Sequence, residues 1–396
     1  MALRRTLLVA ALVVAGLVPP VALAQDATIA ELKEKARAGD AQAARDLSKR
    51  YFYGEGVPPD LEKSLAWLRT AATLGLAEAQ TRLGERYEEG DGVTLDYAQA
   101  LEWYRKAALQ GDATGLLKMG WMYQNGWGVP ADEVKSAAFY LRAAQKGSAE
   151  AQFKVGTDLQ NGRGVPQNCA EAEKWYLMAI RQKHPSAAFN LGSLHEAGCP
   201  SPDYVKAMSW YQKAVQLGDH TANRAIGSFY AQGLGVPASQ EEATKWFGRG
   251  ARAGDAASQA SYGWALLNGQ GVAADPAAAL RWFKRAAAQG DVDSVCNIGW
   301  VHDQGNGVPQ SDSEALRYYR MAADKGSAQC QFNLGVYYRD ARAVKRDPVA
   351  AYTWFSIAAR SELPNAQAKA NAMRPELTAQ QLSEADARVA AWKPNK

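Results

Sequence analysis

Along most of this chain, apolar and small residues return at helical spacing, and they do so in a unit of fixed length. The stretch from Leu76 to Gly111 shows one unit whole. Leu83 and Tyr87 lie four apart, on one face of a first helix. Trp103-Tyr104 and, one turn later, Ala107-Ala108 mark a second helix, and Gly90-Asp91-Gly92-Val93 separates the two. The glycine at Gly84 recurs at Gly120, Gly156, Gly192, Gly227, Gly263, Gly299 and Gly335, with Ser48 in its place at the front. The spacing is 36 residues apart from one step of 35. A fixed period in this range is the signature of a solenoid.

Each recurring residue has a physical reason. Glycine in a helix interior costs about 1 kcal/mol relative to alanine. Its return at one position therefore predicts close approach of the second helix. The aromatic pair recurs as Phe139-Tyr140, Trp175-Tyr176, Trp210-Tyr211, Trp246-Phe247, Trp282-Phe283, Tyr318-Tyr319 and Trp354-Phe355. Junctions such as Gly111-Asp112, Gly254-Asp255 and Gly326-Ser327 run a terminating glycine into an N-cap, so successive helices turn back on each other. One pair cannot bury its apolar face alone, but stacked pairs can.

The pattern A-x-A-x-x-x-L-G-x-x-Y-x-x-G-x-G-V, then A-x-x-W-Y-x-x-A-A-x-x-G, resembles the Sel-one-like repeat family of the tetratricopeptide superfamily. The resemblance covers residues 40–362 in nine units. It implies an all-α fold, a right-handed α/α solenoid with N- and C-terminal capping helices. It also implies an adaptor or scaffold, several family members being proteins of bacterial envelopes. Some cysteine-rich relatives are linked to β-lactam binding, but their cysteines stand at other repeat positions.

The ends follow different rules. Arg4-Arg5, the apolar run from Leu7 to Val18 and Ala22-Leu23-Ala24 read as a secretory signal peptide over residues 1–24. Residues 25–39 are expected to cap the first unit, through a helix opened by Thr28 and Glu31. Residues 363–396 are expected to cover the other end. There Pro375 breaks an alanine-rich helix, and Thr378 with Gln381 opens another whose stripe is Leu382, Ala385, Val389 and Trp392. Within the array, Lys183-His184-Pro185 replaces a glycine junction, and Ala341 and Ala343 replace the ninth unit's loop glycines.

Charge and chemistry add exclusions. Without Arg4 and Arg5 the 45 basic residues become 43 against 41 acidic ones, spread along the helices. That balance does not point to nucleic acid, which calls for a basic stripe. No segment after the signal is apolar enough to span a bilayer. None of the turn glycines is followed by lysine, so a P-loop is excluded. His184, His195, His220 and His302 match no metal spacing, and no serine-nucleophile motif is present. The expectation is therefore no catalytic residue, no cofactor and no metal. A cell-wall-active enzyme, β-lactam hydrolysing or glycan cleaving, is the alternative.

Four cysteines in an exported chain suggest disulfides. Cys169 with Cys199, and Cys296 with Cys330, each join neighbouring units, so these pairs are expected in a periplasmic or secreted protein. For partner binding, the family geometry implies that first helices line the concave face. The outward sites are then six and three before the key glycine, and one, four and five after it. They hold Trp121, Gln124 and Asn125 in repeat three, Phe153, Gln160 and Asn161 in repeat four, Trp264 and Asn268 in repeat seven, and Trp300 and Gln304 in repeat eight. Tryptophans beside amides suit an extended peptide of an envelope partner, and equally a glycan.

Overall fold

The computed structural model describes residues 28–199 and 201–395, so the signal segment lies outside the described residues. The chain divides into two compact units, residues up to 146 and residues from 147 on. In the first, α1 (Ile29–Arg37) precedes three helix pairs: α2 (Ala41–Tyr53) with α3 (Leu61–Thr73), α4 (Ala77–Glu89) with α5 (Tyr97–Leu109), and α6 (Ala113–Asn125) with α7 (Glu133–Gln145). The second holds α8 (Ala149–Asn161) with α9 (Cys169–Arg181), α10 (Pro185–Ala197) with α11 (Tyr204–Gln216), and α12 (Ala222–Gln232) with α13 (Gln240–Ala253). It continues through α14 (Ala256–Asn268) with α15 (Pro276–Ala288), α16 (Val292–Gln304) with α17 (Asp312–Asp324), and α18 (Ala328–Arg339) with α19 (Pro348–Ala359). It ends in α20 (Ala366–Met373) and α21 (Ala379–Ala391).

In eight of the nine pairs the expected close approach is a glycine beneath an aromatic ring. A Cβ built on Gly84 would lie 2.6 Å from the Tyr104 ring, and one on Gly120 2.3 Å from that of Tyr140. The same holds for Gly156 under Tyr176, Gly192 under Tyr211, Gly227 under Phe247, Gly263 under Phe283, Gly299 under Tyr319 and Gly335 under Phe355. Most of these rings are fully buried and form the bulk of the core together with the small pair such as Ala107-Ala108. Repeat one is the exception, with Ser48 and Leu68 at the two equivalent sites.

Turns and caps follow their residue types. Gly90, Gly126 and Gly162 end first helices in the left-handed region, each at φ 70°. Every second helix of the array also opens on a side-chain acceptor, as at Asp60, Asp96 and Ser239, a signal the glycine turns overshadow in the sequence. The capping boxes of Thr28 with Glu31 and of Thr378 with Gln381 are both formed. Leu32 and Ala36 of α1 bury onto the first repeat. At the far end Ala370, Met373 and Ala385 bury against Tyr352 and Phe355 of α19. Lys183, at the irregular junction, takes the glycine conformation with φ 63°.

Candidate functional site

The outward sites of the first helices divide by what their side chains touch. Four residues after the glycine stands the partner of the buried tyrosine hydroxyl. Tyr104 donates to Glu88, Tyr140 to Gln124, Tyr176 to Gln160 at 2.6 Å, Tyr211 to Glu196, and Tyr319 to Asp303 at 3.2 Å. Where the ring is Phe247, Phe283 or Phe355, that site holds Ala231, Leu267 or Arg339. A buried hydroxyl needs an acceptor and a phenyl ring does not. Burial, then the carboxylate beside it, pushes the Tyr104 phenol far above its ordinary range. Gln124 and Gln160 thus serve the fold through their carbonyl oxygens.

The asparagines five after the glycine are also engaged. Asn125, Asn161 and Asn268 each donate from Nδ2 to the carbonyl four residues back, on Trp121, Thr157 and Trp264, at 2.9 Å. They satisfy the last turn of a helix whose next residue is a left-handed glycine. Gln304 donates to Asp303 at 3.2 Å.

The aromatic sites differ from one another. Trp121, Gln124 and Asn125 belong to the first unit and the other seven candidates to the second. Trp264 is 41% exposed, and its ring centroid lies 6.2 Å from that of half-buried Trp300. The structure therefore brings these two tryptophans, one repeat apart, into a single surface. Trp300 also packs on two buried clusters, one spanning repeats seven and eight and one spanning repeats eight and nine. Phe153 instead stacks on His184 at 4.7 Å. Trp121 is half-buried with the Lys118 ammonium 4.9 Å above its ring.

One group was missed by the sequence reading. In repeat one, Arg45, Lys49, Phe52 and Tyr53 occupy sites three before and one, four and five after Ser48, all sites of the expected inner face. With Ser48, Ser64, Leu68, Glu78, Arg82 and Arg86 they line a cavity of about 230 Å³. The available signal was the departure itself, serine for glycine and leucine for the aromatic ring.

The cysteines lie in two pairs at disulfide distance, 169–199 with Cα atoms 5.9 Å apart and 296–330 at 5.7 Å. His184 and His195 face Glu150 and Glu173 singly, and His302 stacks on Tyr318 with desolvation lowering its pKa. Among the described residues no three His, Cys, Asp or Glu side chains are placed to hold a metal, and no helix is long and apolar enough to cross a membrane.

The Sel1 repeat pattern matches nine consecutive segments, 41–76, 77–112, 113–148, 149–184, 185–219, 220–255, 256–291, 292–327 and 328–362. The chain belongs to the Sel1 repeat family. It is similar to a protective antigen of uropathogenic Escherichia coli strains with the same fold, at 26% identity over 93% of this chain and 94% of that one, with a TM-score of 0.62. It is also similar to a Sel1 repeat protein of Oxalobacter formigenes, at 29% identity over 76% and 88% of the two chains, with a TM-score of 0.64. No curated protein matches the sequence. As a Sel1 repeat solenoid the chain has the fold of a protein-interaction scaffold, a family whose members are generally not catalysts.

Proposed function

We propose that this Sel1 repeat protein is an exported scaffold or adaptor that binds a protein or peptide partner in the bacterial cell envelope. The observation that carries the reading is the Trp264–Trp300 surface. An exposed indole beside a half-buried one is the composition of a binding hot spot. Two cysteine pairs at disulfide distance suit an oxidising compartment. The Escherichia coli relative, described as a protective antigen, agrees with a place outside the cytoplasm. No observation among the described residues favours the cell-wall enzyme. Stacking on indole would serve a glycan as well as a peptide, and the test separates them.

The test is photo-crosslinking in cells with a benzophenone amino acid at position 264, followed by mass spectrometry of the adduct. A defined protein adduct, lost on substituting Trp300→Ala, is expected. Adducts only to polysaccharide, or a protein found only in the cytoplasm with Met1 retained, would overturn the reading. In purified protein, Trp264→Ala is expected to weaken capture with little change in melting. Trp300→Ala is expected to lower the melting temperature as well, because its ring packs on the core.

A further inference from the structure

In every other repeat the space between the first-helix glycine and the site four residues on is filled by the ring of the second helix. Repeat one lacks that ring. Leu68 is too short to reach across, and the hydroxyls of Ser48 and Ser64 bond each other at 3.2 Å below the gap. What remains is a cavity of about 230 Å³, with Ser48, Ser64 and Leu68 buried in its lining and Phe52 at its exposed side. A defect in the repeat has become a socket.

Its rim is cationic. Arg45, Lys49, Arg82 and Arg86 line the opening with Glu78 as the single acid among the lining residues. The four cations have partners on the protein surface: Arg45 with Asp46 and Glu78, Lys49 with Glu78, Arg82 with Glu85, Arg86 with Asp91. The pairs of the exposed Lys49 and Arg82 are weak and exchange readily. The Arg45 Nε, however, is buried and has no hydrogen-bond partner among the described residues. That nitrogen is closed to solvent, so the guanidinium atoms a ligand carboxylate would meet are Nη1 and Nη2, which now hold Asp46 and Glu78. Four cations spread around the opening suit several carboxylates in a row rather than one. The Arg86 guanidinium lies 5.0 Å from the Phe52 ring and fixes one wall.

We infer that this socket receives an apolar side chain from an acidic segment of a partner peptide, with neighbouring carboxylates on Arg45, Lys49, Arg82 and Arg86. The inference rests on the peptide-binding reading and names a second contact for it, at a site remote in sequence from Trp264. The apolar side chain would gain burial on Leu68 and Phe52, and the carboxylates would gain charge-assisted hydrogen bonds.

The probe is a fluorescein-labelled, C-terminally amidated peptide with one leucine between two glutamates on either side, read by anisotropy against the mature chain. Binding is expected to weaken about tenfold or more when glutamine replaces the glutamates, and about tenfold when glycine replaces the leucine. Ser48→Gly with Leu68→Phe restores the pattern of Gly227 and Phe247 and fills the socket. It is expected to abolish binding while helix content and melting temperature hold or rise. Lys49→Ala with Arg82→Ala, both exposed, is expected to reduce the salt dependence without unfolding. A filled variant that binds as wild type, glutamine peptides that bind equally, or no binding by the wild type would overturn the inference. In any of these cases an intact crosslink at position 264 would leave the scaffold reading standing, and its loss alone would leave the socket standing.

Discussion

Gly120→Ala tests the lock between helices most severely, because its added methyl would stand 2.3 Å and 2.4 Å from two carbons of the Tyr140 ring. Neither ring nor backbone can yield freely. Tyr140 is buried and its hydroxyl is tied to Gln124 on the same helix as the glycine. Overpacking of this kind costs about 1–3 kcal/mol. Swinging the ring away loses a hydrogen bond of about 1 kcal/mol. Against this, alanine gains about 1 kcal/mol of helix propensity. The balance is a net loss of about 1–3 kcal/mol, opposite in sign to the usual Gly→Ala effect in a helix. A solenoid need not unfold in one step, so a local readout is needed. Hydrogen exchange of the amides in α6 and α7 is expected to accelerate, with a lower urea midpoint for the tryptophan signal. Adding Tyr140→Leu, the residue type at position 68 where serine stands for glycine, is expected to restore most of the protection. An unchanged or raised midpoint in Gly120→Ala alone would refute the lock.

Two further outcomes are expected. The cysteine pairs close loops of 30 and 34 residues, so each bridge contributes about 3–4 kcal/mol by chain entropy, and non-reducing peptide mapping is expected to find 169–199 and 296–330 with no crossed link. The hydrogen bond from His184, with Lys154 adding to it, holds the Glu150 carboxyl below its ordinary value of 4.5. A depressed folded-state pKa gives stability that is present above that ordinary value and lost as pH falls through the folded value. Glu150→Gln is therefore expected to flatten the decline of the urea midpoint between about pH 6 and 3, and an unchanged slope would refute it.

The parts of the fold legible in the sequence are those encoded locally or by period. The glycine and ring sites announce themselves by recurrence, and the capping boxes lie within four residues. The pairing of cysteines followed from the stacking of neighbouring repeats. The roles of Gln124 and Gln160 were not legible, because each meets a tyrosine hydroxyl 16 residues on, and only the packed faces show it. Read singly they are exposed amides. Read down the repeat, the alternation of Tyr with Glu, Gln or Asp and of Phe with other residues was available in the chain. The socket of repeat one was hidden for another reason. It is made by a side chain that is not there, and a cavity has no residue of its own to recur.

The ninth repeat shows how far the pattern can be broken when other contacts hold the backbone. Ala341 and Ala343 stand where glycines stand elsewhere and still take φ 59° and 52°, a strain of about 1–2 kcal/mol each. Between them Arg342 reaches back to repeat eight, where it meets the buried Asp303 and, at 2.6 Å, Asp312. Asp303 also accepts from Tyr337 at 2.7 Å and from Tyr319 at 3.2 Å, so one carboxylate joins both repeats and the loop. The guanidinium holds the loop in a conformation its alanines resist. Asp303→Asn keeps the shape but removes the charge and one acceptor. Losing a partner to a buried ion costs about 3–5 kcal/mol when no other remains. Here Asp312 still holds the guanidinium, so about 1–3 kcal/mol is expected, concentrated in the loop. Hydrogen exchange at 341–344 is expected to rise sharply in Asp303→Asn and less in Asp312→Asn, with the 296–330 pair intact in both. Equal protection in all three proteins would mean that the loop holds its shape without Arg342, and that the alanines are not strained.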